Sequence, residues 1–260
     1  MFRHWFKEPW RGGFMESLLN LSGLPWSVPD FSTLSRRQKT LNVAIPYRRR
    51  ENLHLLIDIE PWERHWSERP WRGGIKAEGE GEWQRRKHGG SKRRVWRKIH
   101  IAIDEETLEI RAVEVTSSAI GDAPILPELL DQIDPSDSIS SVTADGAFDT
   151  RACHDAIAAR GATAVIPPRR NARFWKPSSD GAKARNEALR TCKRLGRSIW
   201  RNWSRYHRRS RVEIKMNCIK QLGQRLMAKA FDRQVAEVQV RVAILNRFTA
   251  LGTPITAAVA

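Results

Sequence analysis

Cysteine is scarce in this 260-residue chain: there are three, at Cys153, Cys192 and Cys218. No two of them form a CxxC pair, which argues against a thiolate zinc site and against a disulfide framework. Long apolar runs are missing as well. None reaches the length needed to cross a bilayer, and the opening MFRHWFKEPWRGG has no apolar core of signal-peptide length. These absences lead us to expect no membrane span and a reducing, cytoplasmic setting. Acidic residues are also in deficit. There are 29 Asp and Glu against 46 Lys and Arg, giving a net charge of +17 and an isoelectric point near 10.7. Such an excess on a folded chain points to a polyanionic partner, nucleic acid well ahead of an anionic membrane.

The apolar share is ordinary at 40%, and the length suits one large domain or two small ones. Eleven tryptophans are present, several in basic stretches. Stacking on bases or on arginine is open to them, as is burial in small local cores. Residues 14–26 read as a short helix ending near Gly23 and Pro25. A second helix begins within 29–42, where Asp30 or Ser32 serves as cap. This basic pair belongs either to a DNA-binding unit or to a simple support.

NLHLLID (52–58) has the pattern of a buried strand ending on an acid. IEPWERHWSERPWRGG (59–74) then reads as a loop, and its ERPWRGG echoes the EPWRGG of residues 8–13 without the regular spacing of a structural repeat. Residues 79–98 are strongly basic. Segments 96–104 and 108–116 alternate as a hairpin around the turn DEET. A helix follows over 122–133 with Asp122 as its cap. A strand at 138–146 ends on Asp145 and Gly146, a helix over 148–161 is stopped by Gly161, and a short strand lies at 162–168. A basic loop at 168–181 precedes helices over about 182–230 and 232–250. This order of hairpin, helices and parallel strands predicts an α/β fold of ribonuclease H-like layout, a mixed sheet flanked by helices with a short helical N-terminal segment.

Two acids stand at strand ends, Asp58 and Asp145, where functional groups gather in open α/β sheets. Either one alone also serves as a turn-former or cap. Asp104 is assigned to the hairpin turn and Asp149 to a helix cap. In YHRRSRVEIKMNCIK (206–220) one glutamate sits in a basic run. On a helix, Tyr206, Arg209, Glu213 and Lys220 fall within an arc of about 60°, while Val212, Ile219, Leu222 and Leu226 lie beside it. The stripe reads either as a salt-bridged surface or as a face that meets a phosphate and a metal together. Three carboxylates suit Mg²⁺, a hard cation with oxygen ligands, in phosphoryl displacement, with Arg and Lys to hold the phosphate.

Y-x₂-R-x₃-E-x₆-K, met at Tyr206, Arg209, Glu213 and Lys220, resembles the signature of bacterial insertion-sequence transposases of the DDE class. ADGAFD, LHLLID and GEGEWQRRKHGGSKRRVWRK are similar to the insertion-sequence-five type within the insertion-sequence-four/five group. The resemblance covers most of residues 30–255. It implies a triad of Asp58, Asp145 and Glu213 as catalytic and metal-binding residues, with Mg²⁺ (or Mn²⁺) as cofactor. It further implies nicking at the ends of a mobile element and transfer of the freed 3′-hydroxyl to target DNA. The partners implied are double-stranded DNA, as terminal inverted repeats and target, and a second copy in a homodimer on DNA. The setting implied is the bacterial cytoplasm, at the nucleoid. Phosphate contacts are expected from Tyr206, Arg209, Lys220, Arg85, Arg86, Lys87, Lys92, Arg93 and Arg94, and DNA contacts from 168–176.

The expected organisation is a partial helical N-terminal segment over 1–50, a catalytic domain over 51–250 with a loop insertion at 59–74, and a tail at 251–260. The insertion replaces the small residues that follow the first Asp in relatives, and the relatives usually carry more N-terminal sequence. The competing expectation is therefore a truncated, inactive remnant that only binds DNA. A different ribonuclease H-like nuclease is disfavoured by the Tyr-Arg-Glu-Lys spacing.

Overall fold

A computed structural model describes residues 10–59, 75–77 and 95–252. Helices α1 (Trp10–Leu21) and α2 (Phe31–Thr40) come first. Gly23, at φ +66°, turns the chain after α1, and the Asp30 carboxylate caps α2 by accepting the Ser32 N–H at 3.0 Å. The sheet contains β1 (Leu53–Ile59), β2 (Ile75–Ala77), β3 (Val95–Asp104), β4 (Ile110–Ser117), β5 (Ile139–Thr143), β6 (Thr163–Val165) and β7 (Arg225–Leu226). Between and after these strands lie α3 (Ile125–Asp131), α4 (Arg151–Ala159), α5 (Asp180–Leu195), α6 (Arg197–Trp203), α7 (Ser210–Gln221) and α8 (Phe231–Leu251).

The β3–β4 hairpin and the β1–β3 pair are antiparallel, whereas β5 runs parallel to both β1 and β6. This is a seven-stranded mixed sheet flanked by helices, the ribonuclease H-like layout expected from the sequence. Alternation along β1 sends Leu53, Leu55, Ile57 and Ile59 into a core with Leu126 and Leu129 of α3 and Ile157 of α4. Leu56, between them, faces the opposite core with Val212, Met216 and Ile219 of α7 and Val238 and Val242 of α8. Asp58 shares the parity of Leu56 and so belongs to the α7 side. Among the described residues no helix is long and apolar enough to cross a membrane.

The two shortest strands were not anticipated. Arg97 of β3 pairs with Ser117 of β4 and with Ile75 of β2, so β2 lies on the edge of β3 that β1 also occupies. Ile59 stands opposite His100 and Ile75 opposite Arg97. A continuous strand would need only two residues between them, facing Ile99 and Lys98; the chain has fifteen, 60–74. β1 and β2 are thus one edge line, interrupted one residue after Asp58, and β7 pairs parallel on the outside of β2.

Four local expectations are corrected. Asp122 does not cap α3: the cap position is Pro124, with no side-chain bond, because Lys98 Nζ draws the Asp122 carboxylate to 3.0 Å. Asp149 does not cap α4. Thr150 does, accepting the Cys153 N–H, while Asp149 turns inward to Arg185. The Tyr206–Arg209 segment is a 3-10 turn rather than part of α7. Arg205 precedes it in the left-handed region, at φ 58°, and this breaks the helical path. Leu226 likewise lies in β7, not on the helix of Glu213.

Candidate functional site

Asp58 sits one residue before the end of β1. On the neighbouring parallel strand Leu56 is level with Thr143, and two residues farther along each strand line stand Asp58 and Asp145. Asp145 continues β5 in extended geometry and then caps the 3-10 turn Gly146–Phe148, its Oδ1 accepting the Ala147 N–H at 2.7 Å. The turn-former reading and the strand-end reading of Asp145 thus describe one position. Glu213 arrives from the other direction. The apolar stripe of Val212, Met216 and Ile219 lays α7 on the sheet, and Glu213, next to Val212, stands at its rim.

Arg209 joins the two elements. Its Nη1 donates to Asp58 Oδ1 at 2.7 Å and its Nη2 to Glu213 Oε1 at 2.6 Å. The Asp58 side chain is 14% exposed and that of Glu213 is 55% exposed. Burial pushes the Asp58 carboxyl up to about 6; Arg209 and the Ile59 N–H oppose this, and the charges of Glu213 and Asp145 reinforce it. All three acids therefore share one electrostatic field. Among the described residues no three acid, histidine or cysteine side chains are already gathered as a cation cage; here Asp58 and Glu213 meet through the Arg209 guanidinium. The donors themselves are hard oxygens, the type that suits Mg²⁺.

Tyr206 is half-buried beside Arg209, packed near Trp200 and under Arg201, whose guanidinium lies 5.6 Å from its ring. Burial raises its phenol, with Arg209 and Arg201 opposing. Lys220 lies in the last turn of α7. Arg85, Arg86, Lys87, Lys92, Arg93 and Arg94 lie outside the described residues. In the 168–176 loop, Arg169, Arg170, Arg173 and Lys176 are exposed.

Two family models, each described as a transposase DDE domain, match residues 73–247 and residues 1–60. The chain belongs to the DDE transposases. The stretch left between the two matches, 61–72, falls inside the interruption of the β1–β2 edge line of this transposase. No solved structure matches the chain.

Sequence reasoning overlooked a second cluster behind the site. Asp149, four residues after Asp145, is 1% exposed and meets Arg185 of α5 through two bonds, from Nε at 3.0 Å and from Nη2 at 3.1 Å. It also accepts the Arg169 N–H at 2.9 Å. The repeated acid in ADGAFD was the available signal; nothing near Arg185 in sequence marked it as the partner.

Proposed function

We propose that this transposase nicks the ends of a mobile element and joins the freed 3′-hydroxyl to target DNA, using Asp58, Asp145 and Glu213 to hold divalent metal. The observation that carries the reading is the single guanidinium bridging Asp58 and Glu213, one strand from Asp145, within a chain of this family. A bound Mg²⁺ or Mn²⁺ would supply Lewis-acid stabilisation of the oxygens in in-line displacement. The chain's own residues do the rest. Arg209 lies within reach of both carboxylates and, handed over to a phosphate, keeps a charge-assisted bidentate bond while freeing them. Tyr206 stands beside Arg209 on the 3-10 turn and Lys220 lies in the last turn of α7, and the exposed cations of 169–176 offer a track for the phosphate backbone. Ionised Asp58 is the form that binds metal, so nicking should rise with pH through about 6.

In this reading residues 1–50 form an end-binding segment and 51–250 the catalytic domain. DNA is held by a homodimer, since two ends must be brought together. The insertion-sequence-five type is the subgroup that the motifs favour. The split edge line beside Asp58 favours a second reading, a DNA-binding remnant whose site is spoiled by the insertion. One experiment separates them. Nicking of DNA carrying the flanking repeats is followed with Mg²⁺ for the chain as written, for Glu213→Ala, and for a variant in which 60–74 is cut to two residues. The expected result is nicking by the first, background for Glu213→Ala, and equal DNA binding by both. Binding without nicking, restored only by the shortened variant, establishes the remnant; nicking by Glu213→Ala overturns the triad.

A further inference from the structure

The Asp149 cluster explains how Asp145 is held. Asp145 caps a turn of only three residues; Phe148 roots that turn in the core, whereas Gly146 and Ala147, next to Asp145, are partly exposed. Its exposed side is gripped by Arg169, whose Nε reaches the Gly146 carbonyl at 3.4 Å and whose Nη2 reaches the Ala147 carbonyl at 3.2 Å. Arg169 is in turn fixed through its backbone N–H by Asp149 Oδ2. Asp149 closes the far end of the turn, its own N–H bonded to the Gly146 carbonyl at 3.3 Å.

Arg185 anchors all of this to α5. Its side chain is 3% exposed. Its Nη1 donates to the Arg173 carbonyl, and the guanidinium stacks on Trp175 with its carbon 4.2 Å from the ring centroid. Trp175 is pinned at both backbone groups by the Asn186 amide, at 2.9 and 2.8 Å. His154 of α4 adds its ring edge to Trp175 and brings Nε2 within 3.3 Å of Asp149. Helices α4 and α5 meet so closely that a Cβ on Gly181 would lie 2.5 Å from the His154 carbonyl. Both Asp149 oxygens are committed to protein donors, so this carboxylate has no role as a metal ligand.

We propose that Asp149 and Arg185 are positioning residues that hold the Asp145 turn in register with Asp58, and that this clamp sets the metal affinity of the site. The proposal rests on the triad reading above. Partners that orient a metal ligand are worth about 10-fold to 100-fold in metal affinity.

The test uses the full chain, as Asp149→Asn and, because that variant leaves a buried cation, also as the charge-conserving Arg185→Lys. Amide hydrogen exchange is read at Ala147 and Phe148 against strands β1 and β3, and Mn²⁺ binding is measured without DNA. Expected are exchange at least tenfold faster in the turn, unchanged protection in the strands, and Mn²⁺ binding weakened about tenfold in Asp149→Asn and by a smaller factor in Arg185→Lys. Turn protection that does not change, or that falls only together with the strands, overturns the clamp. So does Mn²⁺ affinity equal to that of the parent chain despite a loosened turn. If the parent chain itself binds no Mn²⁺, the triad reading and the affinity claim fall together, whereas the exchange measurement still decides whether the clamp exists.

Discussion

Arg209 and Arg185 each grip an aspartate, and the two grips behave in opposite ways. Arg209 divides its donors between Asp58 and Glu213, one of them more than half exposed. Asp58 is left with its carboxyl raised to about 6, chiefly by burial, despite the guanidinium beside it. Arg185 gives two parallel bonds to a single carboxylate, that of Asp149, out of reach of water. There burial also works against the charge, but the nearby His154 ring, the bonds from Arg185 and the Arg169 N–H outweigh it and hold Asp149 well below the usual carboxylate range. The same pair of residue types therefore makes an exchangeable contact in one place and a fixed joint in the other. What separates them is how completely each carboxylate's oxygens are satisfied.

The sharpest way to break this comparison is to remove each arginine in turn. Arg185→Met leaves Asp149 buried without its main partner, and the loss of stability should be about 3–5 kcal/mol. Arg209→Met should cost less than about 1 kcal/mol, because Glu213 is solvated and Asp58 can take a proton. Urea unfolding at neutral pH measures both. Equal losses would mean that Arg209 is as structural as Arg185.

A second test reverses a sign. The folded-state value of Asp58, about 6, lies above its ordinary 3.8. Its contribution to stability is fully present below pH 3.8 and is lost as pH rises through 6. Asp58→Asn should therefore stabilise the chain by about 2 kcal/mol at pH 7 to 8, less than the full shift would give because solvent reaches part of the site. The gain should vanish below about pH 4. Thermal melts of the parent chain and the variant across this range decide it. A destabilised variant at pH 8 would show that the Arg209 bond outweighs the burial of Asp58.

How much of this was legible in the sequence follows from the range of each interaction. β1, the hairpin and β5 carry their own alternation, so Leu53, Ile99 and Val142 mark core faces without help from the rest of the chain. β2 and β7 are three and two residues long. β2 exists as a strand only because β3 offers an edge, and β7 only because β2 does, which no local pattern encodes. Asp58, Asp145 and Glu213 were recognised as candidates from strand ends and from the Tyr-Arg-Glu-Lys spacing, but Arg209 as the link across 151 residues to Asp58 was not. Asp149 was misread for the same reason. Placed just before a helix it looks like a cap, and only the fold reveals Arg185, 36 residues later, as its partner. Local rules located the acids; nonlocal charge pairing decided what each acid does.

The smallest expected effect sharpens the comparison from the side of α5. Ser179 caps that helix by accepting the Ala182 N–H at 3.2 Å, and its hydroxyl donates to Asp155 of α4 at 2.6 Å. Ser179→Ala removes both bonds next to the close approach at Gly181, and the expected cost is about 1 kcal/mol. Arg185 lies more than a turn inside α5 and is held by Asp149, the Arg173 carbonyl and Trp175 rather than by the helix start. Fraying at Ser179 should thus leave the exchange rate of the Ala147 amide unchanged while lowering the urea midpoint. If the Ala147 amide loosens in step with the lost stability, the turn that carries Asp145 is held by the packing of α4 on α5 as a whole, and the Asp149–Arg185 joint is only one contributor to it.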